Sequence, residues 1–475
     1  MGKGKRTSCA QCRRLQGQLN AHQAQLAALR AEVRPLREQL AAAQKNSSTS
    51  SKPPSSDLVK PPPSGSAADG GGAAIGGQPG HPKHEREPFP PEQVTYFEGH
   101  RLHACPCCGG ELRRNGDVAH VVQQVEITRP PLRIEQHTSY EYWCGRCQQA
   151  FDAPFPGYIV EGGLVGPQLT ALIAYLKGVC HASFSTARKF LRDVVQVTIS
   201  RGQLAKIIGK VSQALEGPYA ELYENLARPG HLNVDETGHK DNGEPWWTWC
   251  FRAELYTLFQ IDPTRRADVL MEVLGREFAG VLGCDYFSAY RRYMRECGVT
   301  VQFCLAHLIR DVKFLTTLPG RPDRAYGERL RDALRQSFAV IHQRGQLPAG
   351  RFQQQLQQAR DHVLQVATTG VPATRPSAAM AQRFRRHGAA YFTFLTTPGI
   401  EPTNNLAEQA IRFVVIDRHI TQGTRSATGR QWCARIWTVV ATCAQQGRSV
   451  FTYLRDAVVA SFHNHEAPSL LPQEN

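Results

Sequence analysis

Apolar positions recur along the chain in three rhythms, and each change of rhythm marks a boundary. Leu15, Leu19, His22, Leu26, Leu29, Val33, Leu36 and Leu40 follow gaps that alternate between four and three. That is the seam of a heptad coiled coil, and little apolar sequence lies nearby to cover it from the same chain. Gly17 and Pro35 weaken the seam, so a short dimeric zipper is expected over residues 1–45. The alternative is a lone amphipathic helix packed on its own chain. From Asn46 to His84 the rhythm vanishes into NSSTSSKPPSSD and a Pro/Gly/Ser/Ala run. Such a stretch cannot build a core, so 46–100 is expected to be a linker or an arm that tracks a nucleic-acid backbone.

Helical spacing returns at Gly166 and predicts helices over 167–178, 184–195 and 201–214, within a helical segment 161–225. Ser200 is a cap for the third. Two readings stay open. The segment is a helix-turn-helix with Arg201, Lys206 and Lys210 toward DNA, or a packing bundle between neighbouring domains. At residue 231 the pattern becomes strand-like. HLNVD ends on Asp235, WWTWCF and LYTLFQI flank a charged turn at Arg252–Glu254, and VLGC leads into Asp285. Helices are expected at 267–274 and 286–294, and a strand at VTVQFC. The order predicts a mixed sheet with both aspartates at strand ends. Residues 317–395 are Arg- and Gln-rich and helical, an insertion that splits a core of 226–316 and 396–462. Amphipathic helix resumes over 404–417 and 431–462, and 463–475 reads as a disordered tail. In the first of these helices Thr403 or Asn404 is a cap, and Leu406, Ala410, Ile411 and Val414 form the stripe toward the core.

Charge narrows the partner. With 56 Lys and Arg against 41 Asp and Glu, the net charge is +15 among 475 residues. An excess of that size calls for a polyanion. No run is long and apolar enough to span a bilayer, and MGKGKRTSCA lacks the apolar stretch of a secretory signal, so a cytoplasmic compartment and no membrane partner are expected. The 14 cysteines then read as reduced thiols or metal ligands rather than disulfides.

Two CxxC pairs, Cys105/Cys108 and Cys144/Cys147, are separated by a Val-, Ile-, Thr- and Tyr-rich stretch. Two knuckles joined by strands describe a zinc ribbon over 101–160, in which four thiolates hold one structural Zn²⁺ with no open coordination position. Cys107 is the spare, and His103 is the substitute ligand. Buried cysteines without metal are the alternative. The lone pair Cys9/Cys12 is an incomplete or dimer-bridging site, or has no such role.

The carboxylates carry the candidate chemistry. Phosphodiester hydrolysis without a covalent intermediate needs an activated water and neutralised charge on the attacking and leaving oxygens. Two Mg²⁺ ions about 3.5–4 Å apart supply both, and they prefer carboxylate oxygen. Asp235 and Asp285 can lie side by side in the sheet, and Glu408 can cover them from a helix. Taken singly, an aspartate at a strand end is as well explained as a cap, and Glu408 as a first-turn carboxylate suited to the helix dipole. Glu236 should point away from Asp235, to the other face of the strand. Cys304 and His307 have metal-pair spacing, but His307 is as well explained by orienting a phosphate or Glu408, or by packing at the strand end. Arg310, Lys313, Arg412, Arg418 and Arg425 are candidate phosphate contacts, or a solvated basic face.

LNVDETG, VLGCDYFSAY and TNNLAEQAIRFVVIDRHITQGTRSATGR resemble, in order, the transposases of the insertion sequence 66 family. SSKPPSSD, GGQPGHPKH and CPCCGG resemble the same family, so the likeness runs from about residue 45 to 460. Tyr286 stands where members often carry something smaller, and Cys9/Cys12 has no counterpart. The resemblance implies a multidomain α/β protein with an RNase H-like sheet, a helical insertion before its glutamate, and Asp235, Asp285 and Glu408 as a catalytic triad. It implies a bacterial, nucleoid-associated enzyme that cuts element ends and joins them to target DNA. Partners would be terminal inverted repeats, target DNA, further copies in a homodimer or larger synaptic complex, and small accessory proteins. Two other functions fit the same residues: a DNA-binding regulator without catalysis, and a nuclease that cuts without joining.

Overall fold

The computed structural model describes residues 10–43, 89–94, 107–108, 132–144, 146, 148–152 and 165–472. The chain forms two compact units, one of residues 1–61, 137–192 and 198–475, the other of 62–136 and 193–197. Among the described residues of the second unit is a 3₁₀ turn, Pro91–Gln93. In the first unit, α1 (Ala10–Ala43) runs through both Gly17 and Pro35. Its seam positions Leu15, Leu19, Leu26, Leu29, Leu36 and Leu40 are all exposed. Strands β1 (Glu141–Cys144) and β2 (Gln149–Asp152) pair antiparallel with Cys144 opposite Gln149. Cys107 and Cys108 lie exposed in a turn. Cys105, Cys147 and the side chain of Cys144 fall outside the described residues, as do Cys9, the side chain of Cys12 and His103.

Four helices precede the main sheet: α2 (Pro167–Gly178), α3 (Phe184–Phe190), α4 (Arg201–Ala214) and α5 (Glu216–Glu224). Ser183 and Ser200 accept hydrogen bonds from the amides of Thr186 and Gln203, capping α3 and α4. Helix α3 ends at residue 190 in a π turn, Leu191–Val195. After the sheet's last strand come α8 (Leu305–Leu315), α9 (Arg321–Ile341), α10 (Ala349–Thr368), α11 (Arg375–His387), two 3₁₀ turns, α12 (Asn405–Thr421), α13 (Ala427–Gln445) and α14 (Val450–Phe462). The helix expected over 431–462 is thus two helices. Gly447 at φ +65° breaks it, and Ser449 caps the second. Helices α2 and α4 pack with α13 and α14 in one bundle. Arg201, Lys206 and Lys210 lie on the exposed side of α4.

The main sheet has strands β3 (His231–Asp241), β4 (Glu244–Arg252), β5 (Thr257–Asp262), β6 (Val281–Cys284) and β7 (Thr300–Phe303), in the order β5-β4-β3-β6-β7. The first three form an antiparallel meander, and β6 and β7 run parallel to β3. Helices α6 (Ala267–Leu274) and α7 (Ser288–Cys297) make the connections into β6 and β7. Asp235 was expected at a strand end, but β3 continues past it to Asp241. The reason is a second hairpin: Asn242 and Gly243, at φ +52° and +88°, make a two-residue turn that pairs DETGHKD with β4.

Both edges of the sheet are covered. Along β5, the amides of Thr257 and Phe259 donate to Thr442 Oγ1 and Thr438 Oγ1 of α13. Along β7, Thr393 Oγ1 donates to the Val301 carbonyl and Phe394 N–H to Gln302 Oε1. The chain beyond α14 does not run free, as its composition suggested. Leu470 is buried, Tyr453 Oη donates to the Pro468 carbonyl, and Arg448 and Gln446 hold the carbonyls of Ser469 and Leu470. One apolar anchor with three side chains to satisfy its backbone is enough to dock the segment.

Candidate active site

Strand β3 sets the geometry of the site. Its parallel register with β6 pairs His231, Leu232 and Asn233 with Val281, Leu282 and Gly283. Two residues beyond that register come Asp235 and Asp285, close enough that the charge of Asp285 acts on Asp235. Gly283 is required here, because a Cβ on it would lie 2.7 Å from Asn233 Nδ2. Asp285 leaves the end of β6 and accepts a hydrogen bond from the Phe287 amide at 2.8 Å, which holds its carboxylate in the turn into α7.

Glu408 arrives from α12, and the docking of that helix rests on Asn404. The TNN sequence marks a helix start, but the Asn404 side chain caps nothing. It is buried, accepts from Asn233 Nδ2 at 2.8 Å and donates to the Val234 carbonyl at 2.9 Å. Its backbone amide donates to Cys304 Sγ at 3.2 Å. The start of α12 is therefore pinned to β3 and to the residue after β7. Further along, the buried Asp417 lies 3.0 Å from His181 Nδ1 and accepts from Trp437 Nε1 at 3.0 Å. Past the helix, Thr424 exchanges backbone hydrogen bonds with Lys240 and Asn242. Gly423, at φ +86°, permits that contact, since a Cβ would meet the Lys240 carbonyl oxygen at 2.2 Å. The inward stripe of α12 is Ala407, Ile411, Val414 and Asp417; Leu406, expected inside, is exposed. The expected Ile411 and Val414 are buried, and Ala407 takes the inward place expected for Leu406.

The three carboxylates feel one another. Burial pushes Asp235 well above the usual carboxylate range, and Glu236, Asp285 and Glu408 push it the same way. Burial raises Asp285, opposed by the Phe287 amide and by Arg265 and Arg383. Burial raises Glu408, with Arg310 pulling it down and Asp285 pushing it up. Burial and mutual repulsion that raise carboxylates in this way are both relieved by a bound cation, and oxygen ligands suit a hard divalent ion.

Around Glu408 lies a second set of groups. His307, buried at the start of α8, has Nδ1 at 3.4 Å from Glu408 Oε1, and Arg310 Nη2 is 3.7 Å from Oε2. Desolvation and the Arg310 charge lower His307 to about 4, so the ring is neutral at neutral pH. Cys304 Sγ, a His307 nitrogen and a Glu408 oxygen all lie within 4.8 Å of one another, a mixed set that suits a softer ion. His307 thus does not merely pack: it lies against Glu408.

Glu236 faces the other side of β3, as strand alternation requires. Arg265 Nε donates to its Oε1 at 2.7 Å, and Tyr290 Oη donates to its Oε2. Burial and Asp285 raise it to about 7. Arg418 Nη1 donates to Thr237 Oγ1 at 3.1 Å, so it braces β3. Arg412, Arg425 and Lys313 are exposed. Sequence reasoning missed Asn233, Arg265, Tyr290 and Arg383. Asn233 and Tyr290 lie inside the quoted motifs LNVDETG and VLGCDYFSAY, but all four act through partners elsewhere in the chain that the motifs do not name. Tyr286, the bulky departure after Asp285, lies under the Arg383 guanidinium at 3.8 Å and against Phe303, His387 and Tyr391. It is the contact between the site and the inserted helices.

Residues 162–431, more than half of the chain, match the model described as the transposase IS66 family. The chain belongs to that family, which gives it a transposase role with DNA as partner. Residues 103–148 match the zinc-finger binding domain of transposase IS66, and 5–87 match a family of unknown function. No curated protein matches the chain. Among the described residues, no helix is long and apolar enough to cross a membrane.

Proposed function

We propose that the chain is a DNA transposase of the DDE type on an RNase H-like sheet, with Asp235, Asp285 and Glu408 as its catalytic carboxylates. The observation that supports this reading is the parallel pairing of β3 with β6, which stops two residues short of Asp235 and Asp285, together with the charges of Asp285 and Glu408 that both act on Asp235. Two Mg²⁺ ions held by these three groups would supply an activated nucleophile and neutralise charge on phosphate oxygens. The protein's own part is to hold the carboxylates together before any ion arrives. Asn404 fixes the helix that carries Glu408, and Arg310 faces one of its oxygens. His307 Nδ1 and Glu408 Oε1, both buried and, among the described residues, without a hydrogen-bond partner, face each other at 3.4 Å. Arg265 and Tyr290 keep Glu236 turned away, so it does not compete for the same ligand. In the reaction, water attacks a phosphodiester at an element end and frees a 3′ hydroxyl, which then attacks target DNA.

Zinc held by Cys105, Cys108, Cys144 and Cys147 is structural in this reading. The matched zinc-finger region and the hairpin β1–β2, whose turn carries the second CxxC, support it. The exposed leucines of α1 suit a parallel zipper between two copies, which would bring two element ends together. Exposed Arg201 and Lys206 on α4, Arg310, Lys313 and Arg412 toward Glu408, and Arg425 past the far end of α12, would contact phosphates.

The deciding experiment is Mg²⁺-dependent cleavage and strand transfer on DNA carrying the element ends, with Asp285→Asn beside the wild type. Loss of a metal-holding carboxylate should lower both steps on the order of 10³-fold, several kcal/mol of lost charge stabilisation. Binding without cutting by either protein would favour a regulator. Cutting without joining would favour a nuclease.

A further inference from the structure

Beside Asp285 two open cavities, of about 340 and 540 Å³, share Arg291 in their walls. The first lies between the starts of α6 and α7 and is lined by Arg265, Arg266, Arg291, Arg292 and Arg295. The second lies between α8 and α11 and adds Arg383 and Arg386. They adjoin at Arg291, and we call the two together the trough: arginines dominate the first, and Arg383 and Arg386 share the second with Asp311 and apolar side chains. Its charge is only partly neutralised. Arg265 pairs with Glu236, Arg292 with Asp268 and Glu296, Arg295 with Glu296, and Arg383 with Asp311. Among the described residues, Arg266, Arg291 and Arg386 have no ion pair. Arg291 stacks on Tyr286 at 4.5 Å, and its buried Nε has no hydrogen-bond partner.

We infer that this trough seats a stretch of DNA sugar-phosphate backbone, with successive phosphates against Arg266, Arg291 and Arg386. An open, extended cleft with several separated cations suits a polyanion better than one small anion, and guanidinium forks suit phosphate oxygens. The inserted helices then have a task, because Arg383 and Arg386 on α11 complete a groove that the sheet domain only begins. This rests on the transposase reading and adds to it a backbone path that none of the basic residues expected from sequence lies on.

The test uses the full-length protein and a random-sequence DNA duplex, with binding measured by fluorescence anisotropy across a KCl series. Arg266→Gln with Arg386→Gln removes two exposed cations from opposite ends of the trough. Each lost phosphate contact should reduce the steepness of log K against log[KCl] by about 0.9, so the double variant should lose about 1.8. A lysine pair at the same positions should keep the slope. Arg321→Gln with Arg351→Gln, an equal charge loss on α9 and α10, should leave it unchanged. If the two glutamine pairs bind alike at every salt concentration, the trough holds no DNA. Equal thermal midpoints across the set exclude misfolding as the cause. Cleavage by wild type and Asp285→Asn is measured alongside. A wild type that does not cut overturns the transposase reading, while the slopes still decide the trough.

Discussion

Asn233 Nδ2 donates to the side-chain Oδ1 of Asn404 at 2.8 Å, a buried bond between the strand that carries Asp235 and the residue that starts the Glu408 helix. Asn404→Ala leaves Asn233 and the Val234 carbonyl without their partner. An orphaned buried polar group costs about 1–3 kcal/mol. Urea unfolding should show a loss in that range, and cleavage should fall by more than stability alone explains, because Glu408 loses its anchor. Wild-type cleavage by a folded Asn404→Ala protein would remove Asn404 from the positioning role.

The carboxylates predict an unusual pH dependence. Asp235, Glu236, Asp285 and Glu408 are all raised, Glu236 to about 7 against an ordinary 4.5. The folded protein therefore binds these protons more tightly than the unfolded chain. The stabilisation is complete below the ordinary carboxylate range and is lost as pH rises toward about 7. Without divalent ion, the urea midpoint should fall between pH 5 and 7.5, and Glu236→Gln should flatten part of that fall.

A bound cation should reverse this loss. At pH 7.5, Mg²⁺ at 100 times its dissociation constant should stabilise the wild type by about 2.7 kcal/mol. Asp235→Asn should lose most of that gain. The effect should also weaken from pH 8 to pH 5, as protons compete for the same oxygens. His307→Gln should not move that acid limb, since burial and the Arg310 charge keep the ring neutral until about pH 4.

Gly423→Ala tests the clamp between the end of α12 and β3. The added methyl would lie 2.2 Å from the Lys240 carbonyl in a backbone at φ +86°. A cost of about 1–3 kcal/mol is expected. Hydrogen exchange at Asn242 and Thr424, whose amides make the clamp, should speed up before the rest of the sheet opens.

Periodic segments were legible in the sequence. The helices at 167–178, 201–214 and 267–274 fall where apolar spacing and Ser200 put them. The strand before Asp285 is an apolar run that admits one reading. The β3–β4 hairpin was missed although Asn242-Gly243 is a strong turn signal, because DETGHKD is too polar to look like a strand; it is one because β4 and the α12–α13 loop bind its backbone. Asp235, Asp285 and Glu408 stand out only through the family resemblance, since each alone reads equally well as a cap or a first-turn carboxylate. Asn404 could be seen only as a cap, since the choice between capping and reaching Asn233 is made by a strand 171 positions away. Arg291 and Arg386 had no local mark at all.

The sheet is closed along both rims, by Thr438 and Thr442 on one side and by Thr393, Phe394 and Gln302 on the other. Among the described residues, both edges of the main sheet therefore lie against the chain's own segments, and a strand of a second copy that added to either edge would first have to displace them.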